Sequence, residues 1–271
     1  MKKLYIVNTP IGNLEDMSPR GIRILGEVSL IAAEDTRVTG KLLSKFNIHT
    51  PQISFNTHNA SRRIPLILKE METGNVALTT DAGSPGVSDP GNELVNVADD
   101  NGIEVITIPG PSSLTAIMAI SPFQSHSTYF YGFAPRGKSE LEQLMAQCDL
   151  LRANCVLYES PNRLKKFLDT LGSVSPERQL VIGRELTKFH EERFVGTATS
   201  ASKHFENPKG EFTILLKPQE SLNSSFTTED YKKVIGELQV NGVGIKEIAR
   251  EISAMSGKTN SQAYRIVLDN I

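Results

Sequence analysis

The sequence is poor in cysteine. Cys148 and Cys155 are the only two among 271 residues, and neither a C-x-x-C pair nor a metal-ligand spacing can be built from them. That excludes a disulfide framework and a structural zinc site, and it fits a reduced, cytoplasmic protein with no metal. An excess of either charge is also missing: 29 Lys and Arg stand against 31 Asp and Glu, for a net charge of -2. No global basic field draws in nucleic acid, so any RNA contact has to come from local patches of Lys and Arg. Long apolar runs are absent too. The N-terminal MKKLYIVNTPIGNLED offers two lysines and four apolar residues before Asn8, too short for the core of a signal peptide. From Val105 to Pro135 there is no Asp, Glu, Lys or Arg, but the apolar part around 114–123 is broken by Ser121 and Pro122. It falls short of the roughly 20 residues a membrane helix needs, and it reads as a buried helix near a domain junction. No repeat or low-complexity tract occurs.

What is present describes an ordinary globular protein, with 39% hydrophobic and 22% charged residues and a length that suits one large or two modest domains. Apolar, β-branched or aromatic runs at 4–7, 29–34, 75–80, 104–108, 127–133, 155–159 and 179–185 read as strands. Helix-length amphipathic segments such as 90–101, 138–150 and 161–171 lie between them. This alternation predicts an α/β fold with mainly parallel strands at first. The closely spaced runs at 193–199 and 210–217 predict antiparallel strands later. We therefore expect two unequal α/β domains, 1–120 and 121–218. A polar linker, 219–228, and a helical tail, 229–271, follow them, with helices at 229–239, 244–254 and 259–269.

Glycine, proline and small hydroxyl residues fall just after strand ends. Thr9-Pro10-Ile11-Gly12-Asn13 follows the first strand, Asp81-Ala82-Gly83-Ser84-Pro85-Gly86 the third, and Pro109-Gly110-Pro111-Ser112-Ser113 the fourth. In open α/β sheets the carboxyl ends of the strands form the ligand crevice, and glycine lets backbone approach a ligand closely. None of these loops is a P-loop or a G-x-G-x-x-G fingerprint. They suit an adenosine-bearing ligand that lacks phosphates, although each taken singly is also an ordinary tight turn.

Three further segments carry ionisable groups. Ala33-Glu34-Asp35-Thr36-Arg37 ends a strand and opens a helix. A helix cap explains Asp35 or Thr36, while Glu34 and Arg37 also suit substrate binding or proton transfer. Tyr158-Glu159-Ser160-Pro161-Asn162-Arg163 repeats the strand-to-helix pattern, and the run from Arg184 to Arg193 is a solvated turn or a functional loop. The tail resembles a helix-turn-helix, but residues 229–271 hold six positive and six negative side chains. Packing, dimer contact and RNA binding all remain open for it.

The strings LYIVNTPIGNLED, IAAEDTR, TTDAGSPGVSDPG, IPGPSSLTAI, LYESPNRL and ELTKFHEE closely resemble the ribosomal RNA methyltransferase branch of the tetrapyrrole methylase superfamily. The likeness runs from Leu4 to the tail. It implies two unequal α/β domains of the class III S-adenosylmethionine (SAM) methyltransferase type, and a cytoplasmic homodimer. The implied activity is methylation of the ribose 2'-OH of a cytidine in the decoding region of 16S rRNA, within the small ribosomal subunit. It places the donor against Pro10 and Ile11, the loop Asp81, Ala82, Gly83, Ser84 and Pro85, then Gly110, Ser112, Ser113 and Tyr158, and extends to Glu211 and Phe212. Candidate proton acceptors for the hydroxyl are Glu34, Asp35, Glu159 and Glu185, with Lys188 if its pKa is lowered, and the sequence does not choose among them. RNA would meet Arg20, Arg37, Arg62, Arg63, Arg136 and Lys138. Asn8, and RFVGT where Arg-Gly-Thr is common, depart from the pattern at the rim. The alternatives are the same fold and donor acting on a tetrapyrrole or a protein, and a ribosome-binding protein without catalysis.

Overall fold

In the computed structural model, residues 2–219, 228–256 and 258–270 are described. They divide into two compact units. The first runs to Pro122 and adds Phe130–Pro135 and Val156–Leu216; the second takes Phe123–Tyr129, Arg136–Cys155 and the chain from Lys217 onward. Most of the expected linker, residues 220–227, lies outside the described residues.

The first sheet is built from β1 (Lys3–Val7), β2 (Leu30–Ala33), β3 (Gln52–Ser54), β4 (Val76–Thr79) and β5 (Glu104–Ile108) in the order β3-β2-β4-β1-β5, all parallel. The helices between them are α1 (Pro19–Glu27), α2 (Thr36–Lys45), α3 (Ala60–Met71) and α4 (Asn92–Asp100), and α5 (Ser113–Ala119) follows β5. Strand residues alternate between two cores, as the pleat requires. Ile31, Ala33 and Ala77 pack with Ile24, Leu25 and Leu43 from α1 and α2. Ala32, Val76 and Leu78 pack with Ile67, Met71 and Leu94 from α3 and α4. Every residue of β4 is buried, because a central parallel strand is covered on both faces. Helix starts follow local chemistry: the Ser18 hydroxyl accepts from Gly21 N with Pro19 in the first turn, and the Asp35 carboxylate accepts from Arg37 N at 2.8 Å.

The strand order fixes where a ligand can sit. β1 and β4 are neighbours, yet β1 connects to β2 on one side while β4 connects to β5 on the other. Connections that diverge in this way leave a crevice beyond the carboxyl ends of the two strands.

The second sheet follows the order β6-β7-β10-β8-β9, from β6 (Thr128–Phe133), β7 (Asn154–Glu159), β8 (Gln179–Arg184), β9 (Glu192–Thr197) and β10 (Phe212–Leu216). β8 pairs antiparallel with both β9 and β10, as the short connections demand. Along the chain, α6 (Lys138–Leu150) lies between β6 and β7, α7 (Pro161–Val174) between β7 and β8, and α8 (Ala198–His204) between β9 and β10. The charge-free stretch behaves differently from expectation: α5 is seven residues long and buries only Ile117, while Met118 is 41% exposed. Its apolar side chains are spread around a short helix and only one face meets β8 and β10.

In the second unit, α9 (Thr228–Val240), α10 (Ile245–Ser256) and α11 (Asn260–Asp269) enclose their own core of Tyr231, Ile235, Ile248, Ile252, Ala263 and Val267. Thr259 and Gln262 form a capping box that starts α11. Among the described residues no helix is long and apolar enough to cross a membrane, and no group of His, Cys, Asp and Glu could hold a metal ion.

Candidate active site

Three loops at the carboxyl ends of β1, β4 and β5 close on one another. Thr9 N donates to Gly83 O at 2.9 Å and Gly83 N returns a bond to Thr9 O at 3.0 Å. Gly83 has φ +78°, a left-handed conformation that a side chain would strain. The Asn8 amide donates to the Ser84 hydroxyl. Gly110 is pressed against the same residue: a Cβ there would lie 2.9 Å from Asn8 Cβ. The glycines thus let three loops meet at backbone distance.

Within the first unit these loops face β8, β10 and the start of α7 across a cavity of about 300 Å³, at the lower end of the roughly 300 to 1,000 Å³ typical of small-ligand sites. Its walls are apolar where Ile11, Phe133, Leu186 and Phe212 line it, and hydroxylic at Ser88, Ser112, Ser113 and Thr213. Tyr158 packs edge-on to Phe130 and Phe133 with ring centres 5.1 and 5.9 Å away, and its hydroxyl accepts from Ser113 Oγ at 3.1 Å. Burial first, and then the charge of Asp89, push the Tyr158 phenol up. Among the described residues lining the cavity there is no Lys, Arg or His; its ionisable side chains are Asp89, Glu159, Glu211 and Tyr158.

The carboxylates differ in what holds them. Glu159 is buried; its Oε1 accepts from Ser160 N at 2.7 Å and its Oε2 lies 3.2 Å from Arg163 Nη2. Asp35 is clamped by Arg37, Nη2 to Oδ2 at 2.6 Å, and that guanidinium holds the Asp35 carboxyl down to about 2. Glu34 accepts from Asp81 N at 3.2 Å, while Asp35 N donates to Asp81 Oδ1 at 3.1 Å. Desolvation, and then the Glu34 charge, raise Asp81. Lys188 reaches Glu185 and Glu211, both at 2.9 Å. Burial works against the Glu185 charge, but Lys188, the Glu211 backbone N–H and Arg184 outweigh it, so this carboxyl lies below its ordinary value. Burial likewise opposes the Lys188 charge, and its two carboxylates overcome that and raise it. The lowered Lys188 pKa that a proton acceptor needs is therefore not found.

Asp89 is different again. Burial, followed by the charges of Glu34 and Asp81, pushes it from 3.8 to about 6. Among the described residues no hydrogen bond or ion pair engages its carboxyl. It sits in a turn where Gly86 has φ +81° and Ser88 φ +63°.

Of the residues the sequence proposed for the donor, the cavity gathers Ile11, Ala82, Gly83, Ser84, Ser112 and Ser113, together with Tyr158, Glu211 and Phe212. Pro10 and Asp81 instead line a second cavity of about 270 Å³, with Thr39 and Lys41. Pro85 and Gly110 line neither. Glu34, Asp35, Glu185 and Lys188 lie outside the first cavity's lining, and Glu159 is in it. The sequence reading missed Asp89, Ser88, Phe133, Leu186 and Thr213. The signal for Ser88 and Asp89 was their place in the glycine-rich run after β4; Phe133, Leu186 and Thr213 come from strands and loops far along the chain. Arg20, Arg37, Arg62, Arg136 and Lys138 are exposed and Arg63 is half-buried. Arg37 is engaged by Asp35, and Lys138 lies 3.9 Å from Glu142.

This architecture, two α/β sheets with a glycine-lined crevice, is that of a class III methyltransferase. Residues 3–202 match the family of tetrapyrrole (corrin/porphyrin) methylases. A ribosomal RNA small subunit methyltransferase I from Synechocystis is 40% identical over 98% of this chain and 97% of its own. Its counterpart from Thermotoga maritima is 44% identical over 81% and 100%. Among solved structures, a diphthine synthase superposes with a TM-score of 0.65 at 12% identity, over 80% of this chain and 90% of that one. A uroporphyrin-III C-methyltransferase from Thermus thermophilus complexed with S-adenosylhomocysteine gives 0.56 at 17%, over 79% and 96%. The chain belongs to the tetrapyrrole methylase family and, within it, to the ribosomal RNA small subunit methyltransferase I group.

Proposed function

We propose that the protein transfers a methyl group from S-adenosylmethionine to the ribose 2'-OH of a cytidine in the decoding region of 16S rRNA, acting on the small ribosomal subunit as a cytoplasmic homodimer. Family membership supports methylation of ribosomal RNA with this donor. The cytidine, the 2'-oxygen and the dimer rest on the resemblance of the sequence motifs.

The observation that carries the donor assignment is the chemistry of the cavity. A ligand with phosphates needs cationic or N–H-rich partners. This lining holds none of the three cationic side chains and has three carboxylates, which suits a ligand that carries positive charge. S-adenosylmethionine supplies, when bound, a methyl group on cationic sulfur. Ile11, Leu186 and Phe212 would pack on its apolar parts, and the backbone of Ala82, Gly83 and Ser84 and the hydroxyls of Ser112 and Ser113 would take its polar groups. Asp81, Pro10, Pro85 and Gly110 then shape the loops rather than line the cavity. Most of the acceleration comes from holding the attacking oxygen in line with the methyl carbon.

RNA contacts are assigned to Arg20, Arg37, Arg62, Arg63, Arg136 and Lys138. The test is transfer from labelled S-adenosylmethionine to small ribosomal subunits and to naked 16S rRNA, with nucleotide mapping. Label on a ribose 2'-oxygen of a decoding-region cytidine is expected. Measurable donor binding with no label on either RNA moves the acceptor to another molecule.

A further inference from the structure

We propose that Phe189 is a stacking platform for RNA: its ring, at the tip of the turn between β8 and β9, covers the face of the base next to the methylated nucleotide. The inference rests on the reading that RNA is methylated at the first cavity. Phe189 positions the substrate and takes no part in the chemistry.

Exposure singles the residue out. Phe189 is 96% exposed, more than any other large apolar side chain among the described residues, although aromatic rings are among the side chains that gain most from burial. The turn that carries it is well tied. Phe189 and His190 are the two central residues of a turn closed by Glu191 N on Lys188 O at 3.0 Å, and their rings meet edge to face with centres 5.0 Å apart. Thr187 N donates to Glu191 Oε2 at 2.6 Å.

The backbone below the tip is strained. Glu185 has φ +49° and Thr187 φ +68°, left-handed conformations that penalise a side chain, a β-branched threonine above all. What holds Thr187 there is the loop after β1. Asn13 N donates to Thr187 Oγ1 at 3.1 Å, and Lys188 Cγ and Thr187 Oγ1 press on Gly12, where an added Cβ would collide with both. Strain of this kind persists where the surroundings over-determine it, and it gathers at sites of function. Here it fixes Phe189 at the cavity rim: Leu186, three residues earlier, lines the first cavity together with Glu211 and Ile11, and Gly12 lines the second.

The chemistry of the tip selects its occupant. The cations of the turn are already engaged, Arg184 by Glu192, Lys188 by Glu185 and Glu211, and Arg193 by the carbonyl of Ile120. What the tip offers is aromatic surface. A second copy of the chain would need an interface of roughly 800 Å² a side with an apolar centre, and Phe189 is the one large apolar side chain exposed between residues 184 and 194. A single ring matches a single base. Unpaired bases in RNA are recognised by stacking on aromatic rings, and a nucleotide drawn out of the strand into a cavity leaves its neighbour with an uncovered face.

The experiment compares wild type with Phe189→Ala, Phe189→Leu and Phe189→Tyr on small ribosomal subunits and on naked 16S rRNA. Transfer of label gives kcat/KM, calorimetry the donor affinity, a salt series the RNA affinity, and sedimentation the oligomeric state. Because the ring is exposed, all three variants should keep the wild-type thermal midpoint. We expect Phe189→Ala and Phe189→Leu to lower kcat/KM by about 5 to 150 fold, the range for loss of one stacked base, through weaker RNA binding. Phe189→Tyr should stay within about threefold of wild type. Donor affinity and the slope of log RNA affinity against log salt should not change, since a ring neutralises no phosphate. Full activity in Phe189→Leu overturns the proposal, because the contact would then be apolar without stacking. A loss matched by weaker donor binding overturns it too, as does a loss that accompanies a change in sedimentation, which would place the ring against a second copy. If wild type labels RNA and Phe189→Ala matches it, only the role of Phe189 fails. If wild type labels no RNA, the functional reading fails and this inference with it.

Discussion

Asp89 lowers the stability of the fold that holds it. Its carboxyl is raised from 3.8 to about 6, so the native state binds this proton more tightly than the unfolded chain does. Stability therefore falls as pH rises between about 4 and 6, and the deficit persists above that window. Asp89→Asn removes the ionisation and keeps the shape. Thermal unfolding should show equal midpoints for wild type and variant below about pH 4 and a higher midpoint for the variant at pH 8; a lower one at pH 8 would contradict the burial argument. At this scale the sequence was legible in part. Ser112, Ser113 and the Ala82–Ser84 backbone follow from their place after strands. Which acid is unengaged does not, because Glu159 and Asp35 are neutralised by arginines whose reach depends on rotamers and on the turn of a helix.

Among the elements, glycine positions separate structural from spare. A Cβ at Gly26 in α1 meets nothing within 4 Å, so Gly26→Ala should raise unfolding free energy by about 0.5 to 1 kcal/mol through helix propensity alone. At Gly110 the added Cβ falls 2.9 Å from Asn8 Cβ, and the loops after β1 and β5 must part. Gly110→Ala should cost about 1 to 3 kcal/mol and weaken donor binding, because Asn8 also holds Ser84. Urea denaturation and calorimetry on the two variants check both expectations; equal effects would contradict the close approach. In the tail, Thr259→Ala deletes the cap that accepts from Gln262 N and should cost about 1 kcal/mol, read by urea denaturation. Most strands and helices were readable from apolar runs and turn residues. β3 was not: it is three half-buried residues, Gln52–Ser54, at a sheet edge, and owes its existence to pairing with β2 rather than to its own composition.

For the whole molecule, near-neutral charge confines RNA recognition to local patches, and the salt dependence of binding counts them. Reversing Arg136 and Lys138 to Glu should weaken RNA binding and reduce the slope of log affinity against log salt by about 0.7 to 0.9 for each phosphate no longer neutralised, with donor affinity unchanged. Unchanged RNA affinity would remove these two residues from the interface. The sequence by itself determined the α/β class, the parallel first sheet, the helical tail and the loops that carry the site, because periodicity and turn chemistry are local properties of the chain. Only the tertiary structure decided the strand order β3-β2-β4-β1-β5, and with it the crevice between β1 and β4. It also decided the meeting of Ile11, Asp89, Tyr158 and Phe212 around one cavity. Those residues lie up to two hundred positions apart, and what joins them is burial and strand pairing across the chain, which no window of sequence contains.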